Sequence, residues 1–294
     1  MTDRNIPRFG PAGNDETFHA QKRKSPKDIV PYLIENGLNA YEYQCGRGVQ
    51  VKEENAAILK EEATKADIAL SLHAPYYISL SGKEEETRLK SLDYILQSAR
   101  AADWMGADRV IVHTGSAAKI SREEALELAS DTLSRAIRML EEEHLSHIRL
   151  CPETMGKVNQ LGTLEEVITL CRRHEALIPC VDFGHLYARS FGKDQGLEFF
   201  KKAQEEMENL LGVERGRSFH VHFSRIQFTD AGGEKCHLTF EDQTFGPDFS
   251  PLGLLIAQKN LSCRVICESA GTQAKDAAEM MAIAKRFQEG ETIK

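Results

Sequence analysis

One after another, short apolar runs of this chain stop at a histidine, aspartate or glutamate. In order they are Leu72-His73-Ala74-Pro75-Tyr76, Val112-His113-Thr114-Gly115, Pro152-Glu153-Thr154-Met155-Gly156 and Val181-Asp182-Phe183-Gly184-His185. His220-Val221-His222-Phe223-Ser224 follows, then a loop with His237, then Cys267-Glu268-Ser269. Imidazole nitrogen and carboxylate oxygen are ligands that zinc and manganese accept. Taken singly, a strand-end histidine is more often hydrogen-bonded and structural than a ligand. Gathered at one place without a cation, this many imidazoles and carboxylates would repel one another or be left desolvated. The set therefore points to a polynuclear metal centre, provided the chain folds so that the run ends converge.

The order of elements supplies that convergence. Strands are expected over Pro7–Gly10, Ala40–Gln44, Ala69–His73, Arg109–His113, Arg149–Glu153, Ile178–Asp182, Phe219–Phe223 and Arg264–Glu268. Helical patterns lie between them at Ser25–Asn36, Glu53–Lys65, Glu84–Met105, Arg122–Glu143, Leu164–His174, Gly196–Leu211 and Pro251–Gln258. A last helix is expected from about 275 to 288, and a short arm over 1–6. Ser25-Pro26 sets proline at a first helical position, and Thr163 with Glu166 has the spacing of a capping box. Alternating near-continuous apolar strands with helices predicts an α/β fold, a single-domain (β/α)₈ TIM barrel. In that fold the carboxyl ends of the strands form the active-site face, where these candidate ligands fall. His220 and His222, two apart on the seventh strand, share one face and look toward the barrel axis.

Bulk composition narrows the classes. At 41% hydrophobic and 28% charged, the 294 residues make an ordinary globular composition with ample core material. No apolar stretch is long enough to cross a bilayer, and Met1 to Pro11 lacks an apolar signal core, so a cytoplasmic protein is expected. The seven cysteines are scattered without a CxxC pair, which indicates neither a thiolate zinc site nor a disulfide framework. A net charge of −8 argues against a protein that coats nucleic acid. It leaves a nucleic-acid enzyme open, because bound divalent metals place positive charge where a phosphate would sit.

Taken as an ordered set, His73-Ala-Pro-Tyr76, His113, Glu153-Thr-Met, Asp182-x-x-His185, His222 and Glu268 resemble the endonuclease IV family of apurinic/apyrimidinic endonucleases, within the xylose-isomerase-like barrels. The resemblance runs from about Phe9 to Gly271. It implies a zinc-dependent hydrolase, with two to three zinc ions per chain and manganese as the alternative, that nicks DNA 5′ to abasic sites in DNA repair. By that resemblance His73, His113 and Glu153 hold one metal. Glu153 bridges to a second held with Asp182, His222 and Glu268, and His185 with His237 holds a third. Glu153 and Glu268 are the expected catalytic residues. One departure stands out: the family has Asp-x-His at the third site, and Lys235 occupies the Asp position. A protonated lysine has no lone pair for a metal. Glu234 or a water must fill in, or Lys235 stands in for the cation.

The loops that grip DNA in that family are altered too. Cys45-Gly46-Arg47-Gly48 after the second strand is short, leaving Arg47 as its reader, and Tyr76 and Tyr77 follow the third strand. Tyr76 and Arg47 are the expected substrate-binding residues, since aromatic rings stack at unpaired sites. The implied partner is DNA containing abasic sites, and the implied state a monomer. Two rival readings stay open. Glu153, Asp182, His222 and Glu268 alone would serve a one-metal sugar isomerase or epimerase, which leaves the remaining histidines without a purpose. A non-catalytic binder stabilised by its metals is the third.

Overall fold

Short β-rich runs buried on both faces make the barrel wall: β1 (Arg8–Pro11), β2 (Ala40–Gln44), β3 (Ala69–His73), β4 (Arg109–His113), β5 (Arg149–Glu153), β6 (Cys180–Asp182) and β7 (His220–Phe223). A hairpin of β8 (Arg225–Thr229) and β9 (Gly233–Leu238) precedes the eighth barrel strand, β10 (Arg264–Cys267). The computed structural model describes residues 6–292, so the arm expected over 1–6 falls almost wholly outside the described residues. The helices are α1 (Glu16–Ala20), α2 (Pro26–Glu35), α3 (Glu53–Lys65), α4 (Glu85–Met105), α5 (Arg122–Glu142) and α6 (Leu164–Arg172). They continue as α7 (Phe183–Arg189), α8 (Leu197–Leu211), α9 (Val213–Arg217), α10 (Ser250–Lys259) and α11 (Gln273–Gln288).

The eight parallel barrel strands run in the order β1-β10-β7-β6-β5-β4-β3-β2. A parallel bridge from Ala12 to Glu42 closes the seam between β1 and β2, with Gly13 N–H donating to the Glu42 carbonyl at 2.8 Å. Gly10 makes that closure possible: a Cβ there would sit 1.9 Å from the Ala40 carbonyl oxygen. The fold is thus the expected (β/α)₈ barrel.

Helix ends follow local chemistry. Ser25 with Asp28, and Thr163 with Glu166, form complete capping boxes, each satisfying orphan N–H groups reciprocally. Gly106 takes the left-handed conformation that ends α4. The main apolar core lies between wall and helices, from Leu33, Leu72 and Ile95 through Phe183, Phe200 and Phe249. The barrel interior is different. Its separate apolar cluster is Ala12, Ala40 and Ile266, and the rest of its middle is built from Glu42, Ser71, His220 and His222, all buried. Among the described residues, no helix is long and apolar enough to cross a membrane.

Candidate metal centre

Strand register assembles the mouth. His113 pairs with Glu153, Asp182 with His222, and His73 with Gln44, so side chains far apart in sequence stand at one level. Glu153 is the centre of the group and 1% exposed. Its Oε2 lies 3.3 Å from His73 Nε2 and 3.4 Å from His113 Nε2. Its Oε1 lies 3.0 Å from His222 Nδ1. One carboxylate thus turns its two oxygens toward two different sets. The second set is completed by Asp182 and by Glu268, whose Oε1 is 3.6 Å from the same His222 nitrogen.

The Asp182-x-x-His185 spacing is a helix-capping spacing. Asp182 caps α7, its Oδ1 accepting from His185 N–H at 2.7 Å. Its Oδ2 is buried and has no hydrogen-bond partner. That oxygen lies 3.4 Å from His185 Nδ1, and a buried carboxylate oxygen without a hydrogen bond is one that a cation would satisfy. The donor set, nitrogen and oxygen throughout, fits zinc or manganese.

A third group is His185, Glu234 and His237. His237, expected in a loop, lies on β9, and its neighbour in the group is Glu234 rather than Lys235. The hairpin register explains this. Phe228 pairs with Glu234 and Gln227 with Cys236, so Lys235 is an extra residue in a bulge. A bulge restores Glu234 and His237 to one face despite their odd spacing, and Lys235 is exposed. The hairpin is held against the β5–α6 loop by Glu234 N–H donating to Gly156 O at 3.1 Å. A Cβ on Gly156 would come within 2.7 Å of Glu234 Cβ, so that approach requires glycine.

At three of the histidines that face the centre, the other ring nitrogen has a carbonyl or hydroxyl within hydrogen-bond reach, and at His185 that nitrogen also lies 3.4 Å from Asp182 Oδ2 and 3.5 Å from Glu153 Oε1. His73 Nδ1 lies 2.8 Å from the Ala74 carbonyl, His185 Nδ1 2.9 Å from the Thr154 carbonyl, and His237 Nδ1 2.8 Å from Ser224 Oγ. A carbonyl can only accept, so Nδ1 carries a proton in His73 and His185, and Nε2 is the nitrogen that a metal would take once its own proton is released. His113, Glu153, His185, Glu234, His237 and Glu268 line a cavity of about 190 Å³ together with His73 and, at its edge, Lys157 and Gln160.

Electrostatics at the mouth are uneven. Burial opposes a charged imidazole at His73, but the hydrogen bond and charge of Glu153 outweigh it and push the pKa up to about 9. At His185 burial is outweighed by Asp182, Glu234 and Glu153, and the value again rises to about 9. His113 moves the other way: burial pushes it down to about 4 against the pull of Glu153. Burial raises Glu268 above the usual carboxylate range. Glu153, though buried, is held well below it by the charge of His222.

Tyr76 and Arg47 stand apart from the cavity. Tyr76 and Tyr77 are 48% and 47% exposed, their rings 4.4 Å apart. Tyr76 N–H donates to the Gly46 carbonyl, tying the Arg47 loop to the tyrosine loop. They form a rim rather than part of the ligand cluster. The sequence reading missed Glu42, which lies under the cluster against His220 and His222. Its signal was a charged residue at the inward position of Ala40-Tyr41-Glu42-Tyr43-Gln44.

Residues 30–286 match the xylose isomerase-like TIM barrel family. The chain belongs to that family. An uncharacterized protein of Methanocaldococcus jannaschii is 35% identical over 89% of this chain and 91% of its own length. A probable endonuclease 4 of Aquifex aeolicus is 27% identical over 72% of this chain and 73% of its own. Among solved structures, endonuclease IV from Thermus thermophilus superposes with a TM-score of 0.66 at 18% identity, covering 90% of this chain and 95% of that one. A D-tagatose 3-epimerase-like protein gives 0.67 at 20% identity, covering 90% and 94%. At such identities the structural likeness is one of fold. This member of the family carries candidate metal-binding groups at the strand ends.

Proposed function

We propose that this chain is a zinc-dependent phosphodiesterase that cuts DNA on the 5′ side of abasic sites, working as a cytoplasmic monomer. One observation carries the reading: Glu153 turns its two oxygens to two different ligand sets, His73 with His113 and His222 with Asp182 and Glu268. That is the arrangement of a carboxylate bridging two cations. A one-metal sugar epimerase needs the second set only, and has no use for the His73–His113 pair or for His185, Glu234 and His237.

Bound metal ions would neutralise phosphoryl oxygens and lower the pKa of an attacking water. The chain's own residues do the rest. Glu153 fixes the spacing of the two sets. Glu268, 16% exposed and with its pKa raised by burial, stands at the mouth where it can orient a water and accept its proton. Lys157, at the cavity edge, offers a cation to a phosphate oxygen. Tyr76 and Tyr77 offer ring faces for nucleotides beside the lesion, with Arg47 next to them for the backbone.

The test is a duplex with one tetrahydrofuran abasic analogue, incubated with zinc-loaded protein. The expected product is a nick 5′ to the analogue that leaves a 3′-hydroxyl. Epimerisation of a ketose without any nicking would transfer the assignment to the sugar-modifying branch.

A further inference from the structure

Glu42 is fully buried inside the barrel, beneath the candidate metal centre. Its Oε1 lies 3.0 Å from His222 Nε2, and its Oε2 lies 3.0 Å from His220 Nε2. Ser71 Oγ donates to Oε2 at 2.9 Å and Gln44 Nε2 to Oε1 at 3.1 Å. Among the described residues its ionic partners are these two histidines, with no lysine or arginine in reach. A carboxylate taken this deep into a barrel is costly to desolvate, and a leucine or valine would pack the position without that cost.

His222 shows what the carboxylate does. Its imidazole stands between two carboxylates, Nδ1 at 3.0 Å from Glu153 and Nε2 at 3.0 Å from Glu42. A neutral imidazole has one proton, and both sides compete for it. A proton on Nδ1 would bond Glu153 and close that nitrogen to any cation. A proton on Nε2 leaves the Nδ1 lone pair directed at Glu153, Asp182 and Glu268. At His73 and His237 the partners of Nδ1 are neutral groups, the carbonyl of Ala74 and the hydroxyl of Ser224. At His222 a carboxylate stands on each side, so the tautomer depends on Glu42 as well as on Glu153.

We propose that Glu42 is a positioning residue that holds the proton of His222 on Nε2, fixing the ring so that Nδ1 is presented as a basic metal ligand. Ser71 and Gln44 hold Glu42 in turn. A carboxylate behind a metal-binding histidine raises ligand basicity, and losing such a partner weakens metal binding by about 10–100-fold. The proposal rests on the reading of His222 as a ligand in the centre described above.

The test measures zinc affinity by chelator competition in the full chain, alongside ¹⁵N-detected imidazole spectra of the zinc-loaded protein. Glu42→Gln keeps the shape and removes the charge. It is expected to weaken one zinc ion about 10–100-fold and leave the ion at His185 and His237 unchanged. In the unmutated protein the His222 signals should show Nε2 protonated and Nδ1 metal-bound. Glu42→Gln that folds and binds zinc with unaltered affinity overturns the proposal. So does a spectrum with Nε2 metal-bound, which needs no variant and decides the matter even if Glu42→Gln fails to fold. His222→Ala separates the ligand assignment from the role of Glu42. If that variant keeps the full metal complement, the ligand assignment itself has failed. If it loses an ion while Glu42→Gln loses nothing, only the role of Glu42 has.

Discussion

Glu234 and His237 face the same cavity although three positions separate them on β9, because the strand bulges at Lys235. In a regular strand, residues three apart point to opposite sides. The bulge converts Glu-x-x-His into the geometric equivalent of Asp-x-His, and the lysine at the expected ligand position is the residue pushed out to solvent.

That relationship favours Glu234 among the ways of completing the third site. Were the lysine the defect in an incomplete site, Lys235→Asp would add about one zinc ion per chain by supplying an anionic ligand. With Glu234 already beside His185 and His237, Lys235→Asp should leave the zinc count unchanged. Glu234→Gln should lower it by about one. Elemental analysis of both variants checks this, and a gain of zinc in Lys235→Asp would return the site to the simpler reading.

Glu153→Gln tests the bridge. The amide keeps the volume but cannot give a negative oxygen to each of two sets. Nicking should fall by about 10²-fold or more. The barrel should still fold in the presence of chelator, because Glu153 lies at the strand carboxyl ends rather than the stability face, although losing its charge removes the stability tied to protonated His73. Wild-type turnover with wild-type metal content would refute the bridging role.

The histidine shifts give a pH dependence with a definite sign. In the protein stripped of metal, His73 and His185 have pKa values of about 9, above the ordinary 6.5. Groups raised in the folded state contribute stability that is full below about 6.5 and is lost as pH rises through about 9. The unfolding temperature of chelated protein should therefore fall across that window. Zinc-loaded protein should lack the fall, because metal binding selects the deprotonated rings and releases their protons. Scanning calorimetry of both forms makes the comparison; a chelated protein that gains stability through this window would contradict the assigned ion pairs.

Much of this was legible in the amino-acid sequence, and the exceptions have physical causes. β2, β3, β4 and β5 begin and end where the sequence places them, and in β3 and β4 a strand walled in on both faces stays largely apolar until it reaches the mouth. The hairpin β8–β9 was not foreseen. It projects from the barrel with mixed burial, so it has no strong apolar signature, and its bulge breaks the alternation that would mark a strand. Glu42 was overlooked for a related reason. A glutamate flanked by two tyrosines reads as the solvent side of an amphipathic strand. It points inward because this barrel interior is polar, a property of residues contributed by several strands at once and visible in none alone. His73, His113, Glu153 and His222 could be placed side by side from the sequence because strand ends converge in any such barrel.

On the proposed function the barrel mouth is a polynuclear metal centre spanned by Glu153. Anomalous diffraction at the zinc edge, from crystals of protein never exposed to chelator, tests it most directly. Two peaks sharing Glu153 are predicted, one beside His73 and His113 and one beside Asp182, His222 and Glu268. A third is expected beside His185, Glu234 and His237. A single peak, or none, would contradict the claim.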